Sequence, residues 1–280
     1  MTLEDARRGY PGYRSPSARV PQRTDARTTM SRGFRISFDD VGAGPPVVLV
    51  QGFTLSGGDW WELGYVDRVV GFGRRVLVVD PLGHGQSDRP HDPASYRWPG
   101  VALDIAAAMD AADVDRAVLW GYSRGASLVA SLAAERPDRV DAVILGGAAG
   151  LETDPPNELA GWLKEMLAGD WAAYWSTPLG AGYTEADRRY CEAVNDPRAL
   201  AAALAGRRIY PYHTDLESIS APVLLYEGGE DDPDNGAVTA ALLGAEHRIL
   251  AGLDHDGALA GIDVVVPIVE PFLSAHASPS

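Results

Sequence analysis

Apolar residues in this chain gather into short unbroken runs separated by turn-forming residues. Val47–Val50, Arg75–Asp80, Ala117–Trp120, Val140–Leu145 and Pro222–Tyr226 are the clearest of them. A run of four to six residues with almost no polar interruption is what a strand buried on both faces of a parallel sheet requires. Phe34 to Phe38 behaves differently, because Phe34, Ile36 and Phe38 alternate with polar residues. That period of two predicts a half-exposed strand. Arg248-Ile249-Leu250 reads as a last short strand. Between the runs the spacing turns helical: Trp60 to about Val70, Val101 to Ala112, Leu128 to Glu135, Ala237 to Leu243, and an amphipathic stretch ending near His276. Strand and helix in alternation predict a mostly parallel sheet with helices on its faces.

The pattern breaks between Leu151 and about Asp215, where no buried-strand run occurs and three of the seven tryptophans sit, Trp162, Trp171 and Trp175. This stretch reads as a helical cap inserted over the sheet edge. The α/β core is then residues 34–150 and 216–280, with the cap at 151–215. Residues 1–33 stand apart. They carry seven arginines against three acidic residues, three prolines and few branched aliphatics, and read as a basic, disordered tail.

Composition narrows the function classes. At 280 residues, 46% hydrophobic and 22% charged, the chain suits one large α/β domain. A net charge of −15 argues against nucleic acid or an anionic membrane as partner. A single cysteine, Cys191, excludes an internal disulfide and any cysteine-based metal cluster. No apolar run approaches a membrane span, and the N-terminal segment lacks the apolar core of a secretory signal, so a cytoplasmic protein is expected, monomeric or homodimeric.

The chemistry centres on Leu119-Trp120-Gly121-Tyr122-Ser123-Arg124-Gly125-Ala126. A serine with glycine two residues away on each side, between an apolar strand and a helix, fits a tight strand-to-helix turn. Such a turn lifts the hydroxyl out of the sheet edge, and the helix points its unpaired N–H groups at the same spot. A serine hydroxyl needs a base to take its proton and a third group to orient that base. Parallel strands bring their C-terminal ends to one edge. There the chain places an acidic turn, Glu230-Asp231-Asp232, after the Tyr226 run, and His255 after the Leu250 run. Ser123 is the candidate nucleophile and His255 the base. Asp232 is the preferred orienter, with Asp231 as the alternative. Arg124 reads as a helix-surface residue, and Trp60, Trp162 and Trp175 either line an apolar pocket or pack the cap on the core.

These residues resemble the α/β-hydrolase family, in its capped, esterase- or lactonase-like form. Asp80-Pro81-Leu82-Gly83-His84-Gly85-Gln86-Ser87 is similar to the family's Asp-x-x-Gly-His-Gly-x-Ser stretch. Gly229-Glu230-Asp231-Asp232 is similar to its Gly-x-x-Asp turn, which favours Asp232, and His255 falls at its histidine position. The resemblance runs from about Phe34 to the C-terminus, the cap excepted. Where the family has His-Gly-Phe, this chain has Gln51-Gly52-Phe53. The resemblance implies oxyanion donors at the backbone N–H groups of Phe53 and Arg124, a structural His84, and substrate contacts from Gln51. It implies a serine hydrolase acting on a small apolar ester or lactone through an acyl-enzyme, with no metal or organic cofactor. The fold also hosts C–C bond hydrolysis, amide cleavage and perhydrolysis. Lyase or cyclase chemistry and non-catalytic ligand binding are the further alternatives.

Overall fold

A computed structural model describes residues 26–148, 160–181, 183–209, 214–231 and 233–276. Eight strands form one sheet in the order β1-β2-β4-β3-β5-β6-β7-β8. The buried runs are its centre: β3 (Pro46–Val50), β4 (Arg75–Asp80), β5 (Ala117–Tyr122), β6 (Val140–Gly146) and β7 (Val223–Gly228), with β8 (Glu246–Leu250) at the edge. From β4 to β8 every neighbouring pair is parallel. β2 (Phe34–Gly42) joins β4 antiparallel, and β1 (Arg27–Ser31) joins β2 antiparallel. β1 falls inside the stretch expected to be a tail. Its sequence, Arg-Thr-Thr-Met-Ser, carries no apolar run because an edge strand facing water needs none; Met30 is 65% exposed. The rest of that tail, residues 1–25, lies outside the described residues.

Period two decides what each strand face touches. Val48, Val50, Leu77, Val79 and Leu119 point to one side, into a core shared with α3 (Gly100–Ala111) and α4 (Arg124–Glu135). Val47, Leu49, Val76, Val78, Val118 and Trp120 point to the other. There they meet α1 (Gly57–Glu62), α2 (Tyr65–Gly71) and α12 (Ile262–Ala275). The single helix expected from Trp60 to Val70 is two, because Gly64 takes φ +83° between them and breaks the helical path.

Between β6 and β7 the described chain is helical, as the loss of buried-strand runs predicted. It forms α5 (Ala160–Leu167), α6 (Ala172–Trp175), α7 (Pro178–Ala181), α8 (Glu185–Val194) and α9 (Pro197–Ile209). Leu163, Met166, Tyr174, Trp175, Tyr190, Cys191 and Leu200 make a separate apolar cluster there, and Phe53 from the core packs against it. After β7 come α10 (Pro233–Leu243), β8 and α11 (His255–Ala260). No helix among the described residues is long and apolar enough to cross a membrane.

Candidate active site

Ser123 follows the last residue of β5 and caps the N-terminus of α4 with φ +52° and ψ −119°. A non-glycine residue in that region is strained and persists only where its surroundings impose it. The glycines on either side supply the imposition. A Cβ on Gly125 would stand 2.1 Å from the Val50 carbonyl oxygen, and one on Gly121 would stand 2.3 Å from that of Gly125. The first turn of α4 therefore lies directly on the end of β3, and nothing larger than glycine fits. The Ser123 N–H donates to the Gly146 carbonyl at 2.7 Å, tying the elbow to the end of β6.

His255 is the first residue of α11, a helix capped by Asp254, whose carboxylate accepts from Gly257 N. Its ring lies 5.3 Å from that of Tyr122, the residue before Ser123, and Tyr122 Oη donates to the His255 carbonyl. Its Cε1 would stand 2.9 Å from a Cβ on Gly147, one residue past the Ser123 tether. The histidine thus sits over the same sheet edge as the serine. Its Nδ1 lies 2.6 Å from Oδ2 of Asp231. Burial works to lower the His255 pKa, but the hydrogen bond and charge of Asp231, helped by Asp256 and Asp254, outweigh it and leave it raised above 6.5.

The carboxylate that meets the imidazole in this geometry is that of Asp231. Asp232, the residue preferred from sequence, lies outside the described residues. The two glycines at the end of β7, Gly228 and Gly229, allow two registers of the Gly-x-x-Asp pattern. Counted from Gly228, the pattern ends on Asp231.

Facing the elbow is the 51–59 loop. Asp80, 1% exposed at the end of β4, organises it. Its Oδ1 accepts from Gly57 N at 2.6 Å, and its Oδ2 from Gln86 N at 3.0 Å. Gln51 is buried and reaches the same carboxylate through Nε2 at a long 3.4 Å, while its Oε1 has no partner. This side chain supports the loop from beneath. Phe53 precedes Thr54, which takes φ +64° and is fully buried. The Phe53 ring meets His84 at 6.1 Å and Tyr174 at 5.7 Å, both edge-on.

The aromatic candidates, left open between lining a pocket and packing, all make packing contacts. Trp60 is 1% exposed and packs edge-on against Tyr65 and Trp120 at 5.1 and 5.4 Å. It belongs to the core beneath the sheet, because α1 turns this side chain inward. Trp175 stacks on Trp171 at 5.0 Å, donates from Nε1 to Glu192 and carries Arg188 over its ring. Trp162 packs on Tyr174 at 5.6 Å. Both hold the inserted helices together. The side chains that reach from those helices to the 51–59 loop carry no mark in the sequence. Tyr183 Oη lies 3.2 Å from Thr54 Oγ1, Tyr190 Oη lies 2.9 Å from Ser56 Oγ, and Asn195 Nδ2 donates to the Thr54 carbonyl at 2.7 Å. No spacing rule singles out such residues, since their partners lie over 100 positions away. Among the described residues no group of three or more His, Cys, Asp or Glu side chains comes together as metal ligands would.

Residues 45–190, just over half of the chain, match the model of the alpha/beta hydrolase fold family. The 2-hydroxymuconate semialdehyde hydrolase of Pseudomonas sp. strain CF600 is 32% identical over 127 residues, which are 45% of this chain and 44% of that protein. The chain spans under half the length of that relative and of others matched similarly, at 43% and 45%. The non-heme chloroperoxidase of Streptomyces lividans is 29% identical over 81% of this chain and 91% of its own. Among solved structures, Est816, described as an N-acyl homoserine lactone degrading enzyme, superposes with a TM-score of 0.69 at 25% identity. That superposition covers 88% of this chain and all of Est816.

Proposed function

The chain belongs to the alpha/beta hydrolase fold family, and from that premise we propose that it is a serine hydrolase cleaving a carboxylic ester or a lactone through an acyl-enzyme. The observation that carries the reading is the alignment of Asp231 on His255 Nδ1 at 2.6 Å, over the edge where Ser123 sits in its left-handed turn. With Nδ1 held by a carboxylate, Nε2 is the ring atom left to take a proton.

In the first half-reaction the Ser123 oxygen attacks the carbonyl carbon and His255 Nε2 accepts the serine proton. The tetrahedral oxyanion lies between the backbone N–H groups of Phe53 and Arg124, preorganised by the 51–59 loop and the start of α4. Collapse breaks the bond to the alkoxy oxygen, which leaves with the proton from His255. Water then repeats the sequence on the acyl-enzyme, with His255 as base and Ser123 as leaving group. In this reading the inserted helices, from Ala160 to Ile209, act as a cap over this edge. A small-molecule substrate fits that arrangement. The lactone option draws on the likeness to Est816, and the semialdehyde hydrolase and chloroperoxidase relatives name other chemistries to be assayed beside it.

The test is reaction with a fluorophosphonate probe, followed by mass spectrometry of the labelled peptide. Labelling at Ser123 that disappears in Ser123→Ala and falls steeply in His255→Ala is the expected result. A folded wild-type protein that takes up no label would overturn the reading.

A further inference from the structure

Tyr122 ends β5 and stands next to Ser123 in the chain. Its side chain is 1% exposed, and a buried hydroxyl needs a partner. That partner is the backbone carbonyl of His255, to which Tyr122 Oη donates. Burial, then Tyr226 and the carboxylates of Asp256 and Asp231, push the phenol well above its ordinary value of 10. The hydroxyl therefore keeps its proton, and remains a donor, throughout the range in which a histidine titrates.

Both ends of this contact are fixed. On the β5 side, Tyr122 pairs with Gly146 in the parallel ladder to β6, and the Ser123 N–H takes the Gly146 carbonyl. The ring is closely held. A Cβ on Gly146 would stand 2.6 Å from Tyr122 Cδ2, and one on Gly147 would stand 2.9 Å from Tyr122 Oη and from His255 Cε1 alike. On the other side, α11 is only six residues long, and a second buried tyrosine grips its far end: Tyr65 Oη donates to the Leu259 carbonyl at 2.8 Å. The helix is thus pinned at its first and fifth residues by two hydroxyls. The Tyr122 bond goes to the main chain, so it leaves His255 Nδ1 to Asp231 and does not occupy Nε2. Asp231 sets how the ring is turned, and Tyr122 sets where its backbone stands.

We propose that Tyr122 is a positioning residue for the nucleophile–base pair: one rigid side chain, rooted next to Ser123 and bonded to the His255 carbonyl, sets how far the imidazole stands from the serine oxygen. Proton transfer needs the two groups within hydrogen-bond reach, and a misplacement of ~1 Å costs on the order of 10²-fold in rate. Phenylalanine at this position fills the same space without the bond, so the carbonyl loses its tether while the packing stays. This rests on the serine-hydrolase reading for what the pair does, while the hold on His255 is a matter of geometry alone.

The test compares Tyr122→Phe with Tyr226→Phe in the full chain. Tyr226 is also buried, but its hydroxyl accepts from Trp120 Nε1 at 3.2 Å, so its variant removes a buried hydroxyl bonded to a tryptophan. Two quantities are read: the second-order rate of fluorophosphonate labelling at Ser123, and the titration of the His255 ring by NMR. Tyr122→Phe should label roughly 10- to 100-fold more slowly than wild type. Burial opposes the imidazolium, and Asp231, with Asp256 and Asp254 behind it, outweighs burial. A loosened ring loses part of the Asp231 share, so the His255 midpoint in Tyr122→Phe should move down from its place above 6.5. Tyr226→Phe should label within about 3-fold of wild type, its midpoint unmoved, at a similar fall in melting temperature. A tyrosine that only packs would lower the melting temperature and move neither quantity. If Tyr122→Phe labels within about 3-fold of wild type, or Tyr226→Phe slows labelling as much, the proposal is wrong. A folded wild type that takes no label defeats the hydrolase reading instead. The His255 midpoint then decides alone, and one that stays in place in Tyr122→Phe overturns the role of Tyr122.

Discussion

Asp231 Oδ2 and His255 Nδ1 lie 2.6 Å apart, linking the turn after β7 to the first residue of α11. The contact fixes the imidazole ring and stabilises its charged form as a proton arrives from the serine. An amide at position 231 keeps the shape but removes that charge. Asp231→Asn is therefore expected to lower kcat by about 10³- to 10⁴-fold. Asp232→Asn should change it by less than about 3-fold. Comparable losses from both substitutions, in steady-state ester hydrolysis, would sink the assignment of Asp231.

The same contact sets the pH profile. Burial opposes the imidazolium, but Asp231 and then Asp256 and Asp254 favour it more, and the net pKa stands above 6.5. The base must be neutral to work, so kcat/KM should climb with pH through a midpoint above 6.5. Asp231 is the carboxylate that favours the imidazolium most, and Asp231→Asn removes its charge. The residual activity of that variant should therefore rise at a lower pH than in wild type. A limb that moves upward instead would show that Asp231 is not what raises the histidine.

Much of this site can be read from residue patterns, for physical reasons that also mark where the reading fails. Val47–Val50 and Arg75–Asp80 announce themselves because both faces of a central strand must be apolar. Ser123 is legible because a left-handed turn against a neighbouring backbone leaves glycine as the tolerated neighbour. The choice between Asp231 and Asp232 is different in kind. Gly228 and Gly229 offer two registers, and only the position of His255 in space distinguishes them. Trp60 misleads because a tryptophan at a helix start looks the same whether it turns toward a pocket or toward Tyr65 and Trp120. Arg124 is harder to read because charge normally signals a surface, and only the surrounding atoms show that its Nε and Nη2 are covered and without a hydrogen-bond partner. β1 leaves no signal, since an edge strand in water can be made of Thr, Met and Ser.

The elbow makes a prediction about glycine that composition alone would not. Gly125→Ala drives a Cβ into backbone at 2.1 Å, where no side chain can swing away. The start of α4 must shift, and a loss of about 2–4 kcal/mol in stability is expected, along with activity. Gly161, in α5, has nothing within 4 Å of the same position. There alanine adds helix propensity, and Gly161→Ala should stabilise by about 0.5–1 kcal/mol. Urea midpoints of the two variants, moving in opposite directions, check both.

Asn195 offers the sharpest test of whether the inserted helices take part in catalysis or only cover it. Its side chain, 4% exposed at the end of α8, accepts from Gly85 N at 3.2 Å and donates to the Thr54 carbonyl at 2.7 Å. Thr54 is held in a left-handed conformation directly after Phe53, whose N–H is the proposed oxyanion donor. Asn195→Ala leaves two buried backbone groups unpaired and should cost about 2–3 kcal/mol of stability. Its kinetic effect carries the argument. An oxyanion donor acts mainly on the tetrahedral species, so a loosened Phe53 should lower kcat by about 10- to 100-fold while KM moves less than about 3-fold. Asn195→Asp keeps the acceptor for Gly85 but sets a carboxylate oxygen against the Thr54 carbonyl, and should lower kcat further still. A variant that loses stability but retains wild-type kcat in its folded fraction would reduce Asn195 to a packing contact.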